Sequence, residues 1–209
     1  MHRFKARIRG VYAIIDARYV DDERLPEFTE QILEGGVSII QMRDKDVPMD
    51  RRLKRLKTVL GIAKKYEVPV IVNDIPELQQ ATGADGVHLG RDEEHLFFPL
   101  RKLNNEIIIG ISAYQDLDRA LRFALEGADY VAFGSVFPSP SEPNRRKVPL
   151  EVLRKAKEML TIPIVGIGGI TPENAEQIID YVDAVAVMSA LTEKPYETAR
   201  QLTKLFEWK

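Results

Sequence analysis

Short apolar runs rich in β-branched residues recur along the chain at regular intervals, and there are eight of them. The segments between them are charged and carry apolar residues at helical spacing, such as Leu53, Leu56, Leu60 and Ala63. Strands this continuously apolar must be covered on both faces, so the pattern predicts parallel strands that alternate with helices. The predicted strands are Val11–Asp16, Ser38–Arg43, Pro69–Asp74, Gly86–Gly90, Ile107–Ser112, Tyr130–Val136, Pro163–Gly168 and Ala184–Ser189.

The even spacing of this repeat favours a closed barrel over a doubly wound open sheet, which is the main alternative. Eight strand–helix units in 209 residues fit the short end of the size range of (β/α)8 barrels, also called TIM barrels. The repeat continues to the C-terminus, and no low-complexity linker divides the chain. We therefore predict an α/β fold in which residues 1–209 form a single compact (β/α)8 barrel domain.

Composition narrows the range of partners. Lys and Arg total 30 against 32 Asp and Glu, so the net charge of −2 offers no global attraction for nucleic acid or an anionic membrane. No stretch approaches the ~18 consecutive apolar residues of a membrane span. The chain has no Cys, which excludes disulfides and thiolate metal sites and fits the reducing cytoplasm. We therefore predict that the protein is cytoplasmic and acts on small molecules. Whether it forms a homo-oligomer stays open.

Cationic side chains follow the second predicted strand. In a barrel of this kind the active site lies at the carboxyl ends of the strands, so polar residues that end an apolar strand are the candidates. Arg43 and Lys45 place two cations at that end, where they suit a phosphorylated substrate. Their alternative role is a surface ion pair with Asp44 or Asp46.

Carboxylates follow the third and fourth predicted strands. Asp74 and the pair Asp92–Glu93 supply oxygen ligands of the kind that Mg²⁺ prefers. Carboxylates at helix starts also serve as caps, so the metal role depends on their placement beside the basic pair.

The end of the seventh predicted strand is rich in glycine. Gly166-Ile167-Gly168-Gly169 resembles a phosphate cup, because glycines let backbone N–H groups approach an anion. A simple strand-to-helix turn is the alternative. The phosphate role is favoured because barrels frequently bind phosphate with the loops after strands seven and eight, where Met188-Ser189 also falls.

Two further polar residues end the fourth and fifth predicted strands. His88 is predicted to be a packed, hydrogen-bonded histidine that supports the site rather than a general base. Ser112 has no evident His and Asp partners in the sequence, so a hydrogen bond to substrate is favoured over nucleophilic attack.

Taken in order, these motifs resemble the thiamine-phosphate synthase family, also called thiamine-phosphate pyrophosphorylase, over essentially the whole chain. The resemblance implies a Mg²⁺-dependent (β/α)8 transferase that joins hydroxymethylpyrimidine diphosphate to thiazole phosphate and releases thiamine phosphate and pyrophosphate. It implies that the diphosphate departs first and that the thiazole nitrogen captures the resulting pyrimidine cation. The matching segments are Tyr12–Asp16, Gln41–Lys45, Val72–Asp74, Ala84–Gly90, Ile109–Ser112, Gly127–Gly134 and Val165–Ile170.

The resemblance also implies a role for individual residues. Asp74 and Glu93 match metal ligands, and Arg43, Lys45 and Ser112 match catalytic residues. The implied substrate contacts are Gln41, Arg43, Lys45, Asn73 and Ser112 for the pyrimidine diphosphate, and Ser139, Ser141, Gly169, Met188 and Ser189 for the thiazole phosphate.

The sequence departs from the family pattern at Glu93 and in the loop after the sixth predicted strand, which also lacks the family's usual Gly before the next helix. Glu93 stands where the family usually has Asp. Glu142 stands where the family usually has Lys, so an anion replaces a cation expected near the diphosphate. Arg145, Arg146 and Lys147 on the same loop are the candidates to compensate for it.

Two alternatives to the synthase stay open. The related thiazole tautomerases use a His two residues after the position of Ser112, and this chain has Tyr114 there. The expected acid–base group of a tautomerase is therefore missing. The other alternative is a non-catalytic paralogue that binds a thiamine precursor, and Glu142 is its main support.

Overall fold

The eight strands close into one parallel barrel in the computed structural model, which describes residues 8–139 and 146–207. Each strand pairs with the next along the chain, and the last pairs with the first, with Gly10 opposite Ala184. The predicted (β/α)8 barrel is confirmed, and the open sheet is wrong. The strands are β1 (Gly10–Ile15), β2 (Ile39–Met42), β3 (Val70–Asn73), β4 (Gly86–Leu89), β5 (Ile108–Tyr114), β6 (Tyr130–Gly134), β7 (Ile164–Ile167) and β8 (Ala184–Val187).

The observed strands agree with the predicted ones to within two residues, and most differences lie at the carboxyl ends. Asp74 shows why a predicted strand runs too far. Its φ of 62° is left-handed, so it leaves the extended conformation directly after β3. The chain therefore bends away from the barrel at the point where its polar side chains begin.

The helices pack around the outside of the barrel. In α2, Leu56 and Ala63 are buried, whereas Leu53 and Leu60 are partly buried against the same core, as their spacing predicts. Across the described ranges, no helix is both long enough and apolar enough to cross a membrane. The α-helices described are α1 (Leu25–Glu34), α2 (Met49–Ala63), α3 (Pro76–Thr82), α4 (Phe97–Leu103), α5 (Leu117–Leu125), α6 (Leu150–Met159), α7 (Pro172–Ala175) and α8 (Pro195–Lys204).

The apolar core has two layers, one inside the barrel and one between the barrel and its helices. Strand β1 contributes to both, because successive side chains point to opposite faces: Tyr12 faces inward, whereas Val11 and Ala13 face the helices. The inner layer includes Tyr130, which requires glycine at position 110. A Cβ atom on Gly110 would lie 2.0 Å from Cζ of the Tyr130 ring. The glycine of β5 thus makes room for a large ring under the barrel mouth.

A buried arginine ties helix α2 to the loops that follow β1 and β2. The Nε of Arg55 donates to Oδ2 of Asp44 at 2.7 Å, and Nη2 donates to the carbonyl oxygen of Val20 at 2.9 Å. A third bond runs from Nη1 to Oδ1 of Asp22 at 2.6 Å. Asp44 accepts a further bond from the backbone N–H of Ala17 at 2.8 Å. These bonds fix the position of Asp44 relative to the barrel. They thereby also position its cationic neighbours Arg43 and Lys45.

Candidate active site

A cavity of about 620 Å³ opens at the carboxyl ends of the strands. Glu93 borders the adjoining cavity of about 220 Å³, together with Lys45 and Asp74. Ser141, Glu142 and Arg145 lie outside the described residues. The other residues predicted for the site line the larger cavity: Gln41, Arg43, Lys45, Asn73, Asp74, Ser112, Ser139, Gly169, Met188 and Ser189.

The two predicted cations are each paired with a carboxylate at the mouth. Nη1 of Arg43 lies 2.8 Å from Oδ2 of Asp16, and Nζ of Lys45 lies 3.0 Å from Oδ2 of Asp74. Although burial opposes it, hydrogen bonds from Arg18 and Arg43 hold the pKa of Asp16 below its usual value. Asp16 is therefore a fixed anion that aims Arg43 at the cavity. Sequence reasoning did not assign it this role, although it closes the first predicted strand.

The alternative pairing of the cations with Asp44 is not what the structure shows. Asp44 is buried, and its carboxylate pairs with Arg55 of helix α2. The chain from Arg43 to Lys45 thus alternates, with its cations facing the mouth and its central carboxylate facing α2. This alternation leaves both cations next to the space that a substrate would occupy.

Two carboxylates meet beside Gly90. Oδ1 of Asp74 accepts from the N–H of Gly90 at 3.2 Å, and Oδ2 accepts from Nδ2 of Asn73 at 2.6 Å. A Cβ atom on Gly90 would lie 2.9 Å from Oε2 of Glu93 and 3.6 Å from Oδ1 of Asp74, so both groups flank this glycine. Burial, and then the charge of Asp74, raises the pKa of Glu93. Two carboxylates that repel each other in this way form a donor set that fits a hard cation.

The neighbouring acidic residues differ in their surroundings. Asp92 is exposed, and Glu94 forms an ion pair with Arg119. Within residues 8–139 and 146–207, no cluster of three or more His, Cys, Asp or Glu residues could hold a metal ion.

The glycine loop after β7 packs closely on the loop after β6. Gly168 and Gly169 have φ of 100° and 64°, which are values that favour glycine. A Cβ atom on Gly169 would lie 2.1 Å from the carbonyl oxygen of Pro138. Nδ2 of Asn174 donates to the carbonyl oxygen of Gly169 at 2.8 Å, which links the loop to α7. The loop is thus a strand-to-helix turn whose backbone also borders the cavity.

A chain of hydrogen-bonded side chains crosses the inside of the barrel beneath the mouth. Nε2 of Gln41 donates to the hydroxyl of Tyr12 at 2.8 Å, and this hydroxyl lies 2.7 Å from that of Tyr130. The Tyr130 hydroxyl lies 3.0 Å from Nδ1 of His88, whose Nε2 lies 2.9 Å from Oγ of Ser112. His88 is packed and hydrogen-bonded, as predicted, and burial lowers its pKa to about 4. The imidazole is therefore neutral at neutral pH.

Sequence reasoning missed Tyr12 and Tyr130 as site residues. Both lie inside apolar strands, where an aromatic ring is the expected core residue. Their hydroxyl groups could have indicated a polar role, because a buried tyrosine hydroxyl usually has a hydrogen-bond partner.

The fold and the cavity define the class of protein. Cations and carboxylates after β2 to β4 face a glycine-rich loop after β7 across the open end of a (β/α)8 barrel. This combination is typical of barrel enzymes that act on phosphorylated substrates at the carboxyl ends of their strands.

Comparisons with known proteins identify the family. A sequence profile described as thiamine monophosphate synthase matches residues 11–191. A thiamine-phosphate synthase of Nitrosococcus oceani is 44% identical over 185 residues, which cover 88% of this chain and 85% of that protein. One from Halorhodospira halophila is 42% identical over 205 residues, covering 97% and 96%. The solved structure of a thiamine phosphate pyrophosphorylase from Pyrococcus furiosus has a TM-score of 0.86 at 34% identity and covers 97% of both chains.

The chain therefore belongs to the thiamine monophosphate synthase family, as the motifs predict. It is an enzyme of the transferase class. Tyr114, at the position where the resemblance to tautomerases would require His, lines the cavity and accepts a hydrogen bond from the backbone N–H of Arg91 at 3.0 Å.

Proposed function

We propose that this chain couples hydroxymethylpyrimidine diphosphate with thiazole phosphate to give thiamine phosphate and pyrophosphate. The observation that supports it most is the placement of Arg43, Lys45, Asp74 and Glu93 on one side of the mouth. A departing diphosphate needs cations and metal ligands together, and the opposite loop supplies backbone for a second, smaller phosphate. The proposed partners are small phosphorylated molecules, and a cytoplasmic location stays a prediction.

Mg²⁺ is the cofactor that we propose for this reaction. Asp74 and Glu93 would hold it, with phosphate oxygens of the diphosphate completing its ligands. When bound, the ion supplies positive charge to the leaving group.

The chain's own residues bind and orient the two substrates. Arg43 and Lys45 stabilise the negative charge that grows on the diphosphate as its bond to the pyrimidine carbon breaks. Ser112 and Gln41 hydrogen-bond the pyrimidine ring, with Asn73 beside the diphosphate. The thiazole phosphate lies against the backbone of Gly169 with Ser139, Met188 and Ser189 around it. The family resemblance assigns Ser141 to the same phosphate, but Ser141 lies outside the described residues. Little acid–base chemistry is needed, which agrees with a neutral, hydrogen-bonded His88.

The direct test is to supply the purified protein with both precursors and Mg²⁺. We expect thiamine phosphate and pyrophosphate in equal amounts, with no product when either precursor or the metal is omitted. Binding of the precursors without product would favour the non-catalytic paralogue. Isomerisation of a thiazole precursor without coupling would favour the tautomerase.

A glycine substitution tests the proposed thiazole phosphate site. Gly169→Ala should raise the KM for thiazole phosphate at least about tenfold, because the new Cβ atom clashes with the Pro138 carbonyl and a left-handed φ strains alanine. The KM for the pyrimidine diphosphate should stay within about twofold of the parent value. Steady-state kinetics with each substrate varied in turn measures both.

The matched control is Gly61→Ala on helix α2. A Cβ atom on Gly61 meets nothing within 4 Å, so both KM values should be unchanged. Equal KM changes for both substrates in Gly169→Ala would contradict a phosphate site confined to this loop.

A further inference from the structure

The hydrogen-bond chain inside the barrel has a direction that can be worked out from its donors. It begins at Gln41, whose Nε2 is a donor and cannot accept, so the hydroxyl of Tyr12 accepts at that end. Tyr12 is 1% exposed, and among the described residues its hydroxyl proton has no acceptor besides the hydroxyl of Tyr130. Leaving a buried donor without a partner is costly, so Tyr12 donates to Tyr130.

The same reasoning passes the direction along to the other end. Tyr130 has one hydroxyl proton, and since it accepts from Tyr12 it donates to Nδ1 of His88. A neutral imidazole that accepts at Nδ1 carries its proton at Nε2. Nε2 then donates to Oγ of Ser112, which leaves the hydroxyl proton of Ser112 free for a partner in the cavity.

We propose that Tyr12, Tyr130 and His88 are positioning residues that make Ser112 a hydrogen-bond donor toward the substrate, in a direction set by the amide of Gln41. The identity of the ring that Ser112 meets rests on the proposed function, whereas the direction of the chain does not. With the direction reversed, Ser112 would donate to His88 and present only lone pairs to the cavity.

The direction selects a ring of defined chemistry. A hydroxyl proton at Ser112 suits an aromatic ring nitrogen, which is an acceptor. The amide oxygen of Gln41 makes no hydrogen bond within the described ranges and suits an exocyclic amine. An aminopyrimidine offers both groups. The two ends of the hydrogen-bond chain, Gln41 and Ser112, would therefore bind two edges of the substrate ring.

The first experiment determines the tautomer of His88 in the parent protein. Long-range proton–nitrogen NMR correlations of the isotope-labelled protein distinguish the two neutral tautomers, and the sequence has only His2, His88 and His95 to assign. We expect His88 to be protonated at Nε2. Protonation at Nδ1 would overturn the proposal, whether or not the protein forms thiamine phosphate.

The second experiment reverses the direction of the hydrogen bonds by a substitution at Gln41, the end of the hydrogen-bond chain opposite Ser112. A carboxylate at position 41 only accepts, so in Gln41→Glu the proton of Tyr12 must turn toward it. Every later bond then reverses, and His88 should change to the Nδ1-protonated tautomer. The control Gln177→Glu, on an exposed residue, should leave His88 at Nε2. A folded Gln41→Glu protein that keeps the Nε2 tautomer above the pKa of the new carboxyl group would overturn the coupling.

The third experiment measures recognition of the ring. The parent should use the pyrimidine diphosphate at least about tenfold better, in kcat/KM, than an analogue with CH in place of the ring nitrogen nearest Ser112. Tyr130→Phe keeps the ring that packs on Gly110 but breaks the chain, and this preference should fall to about threefold or less. An undiminished preference would contradict the positioning role. A parent without turnover but with His88 protonated at Nε2 would overturn the proposed function and leave the direction intact.

Discussion

Asp74→Asn is expected to lower kcat by about 10²–10³-fold, while the protein stays folded. Asn has the shape of Asp and tolerates the left-handed φ of 62° at this position, so the backbone turn after β3 is kept. What is lost is the negative charge that pairs with Lys45 and, in the proposed function, holds Mg²⁺ beside Glu93. The measurement is kcat over a range of Mg²⁺ concentrations, with the circular dichroism spectrum as a check of folding.

The matched control is Asp92→Asn, which removes one charge from an exposed neighbour. We expect its kcat to stay within about twofold of the parent value, because surface charges are screened by solvent. An Asp74→Asn enzyme as fast as the parent at limiting Mg²⁺ would show that Asp74 is not a metal ligand.

Arg55→Met is expected to lower the free energy of unfolding by about 3–5 kcal/mol. The Arg55 side chain is 1% exposed and that of Asp44 is 4% exposed, so methionine leaves a buried carboxylate without its cation. The loops after β1 and β2 lose their shared anchor at the same time. Urea unfolding of the two proteins measures the difference, and we expect kcat to fall as well, because Asp44 lies between Arg43 and Lys45.

Arg154→Met makes the same chemical change on the surface of helix α6. Arg154 pairs with Glu151 and Glu158, but its side chain is 51% exposed. The expected loss is therefore much smaller than that of Arg55→Met, because solvent screens an exposed ion pair. Similar losses in the two variants would show that the burial of the Arg55–Asp44 pair does not matter to stability.

Much of the fold could be predicted because it depends on short-range patterns. The eight apolar runs and their helical partners follow from the spacing of residues near one another in the chain. Closure into a barrel follows from the number and regularity of these units. Once closed, a parallel barrel brings the ends of all its strands to one mouth, and for that reason Arg43, Asp74, Ser112 and Gly169 could be expected to line one cavity.

Pairings between side chains could not be predicted, because they join distant parts of the chain. The hydroxyls of Tyr12 and Tyr130 meet across 118 residues of sequence, and both rings look like ordinary core residues until Gly110 is seen to make room beside them. Asp16 could not be assigned to Arg43, since Asp44 and Asp46 are closer in sequence. The basic pair and the carboxylates could be predicted from their residue types. Which carboxylate pairs with which cation could not be predicted.

Local patterns were therefore enough to predict the barrel, the end of the barrel that holds the site, and the residue types found there. Periodicity and strand-end position are properties of residues that are close in the sequence. Three features depend on contacts between distant parts of the chain. Asp44 turns toward Arg55 on helix α2, Asp16 pairs with Arg43, and a line of hydroxyls and one imidazole links Gln41 to Ser112. Hydrogen bonds act over about 3 Å. Which donor reaches which acceptor is thus settled by packing in three dimensions.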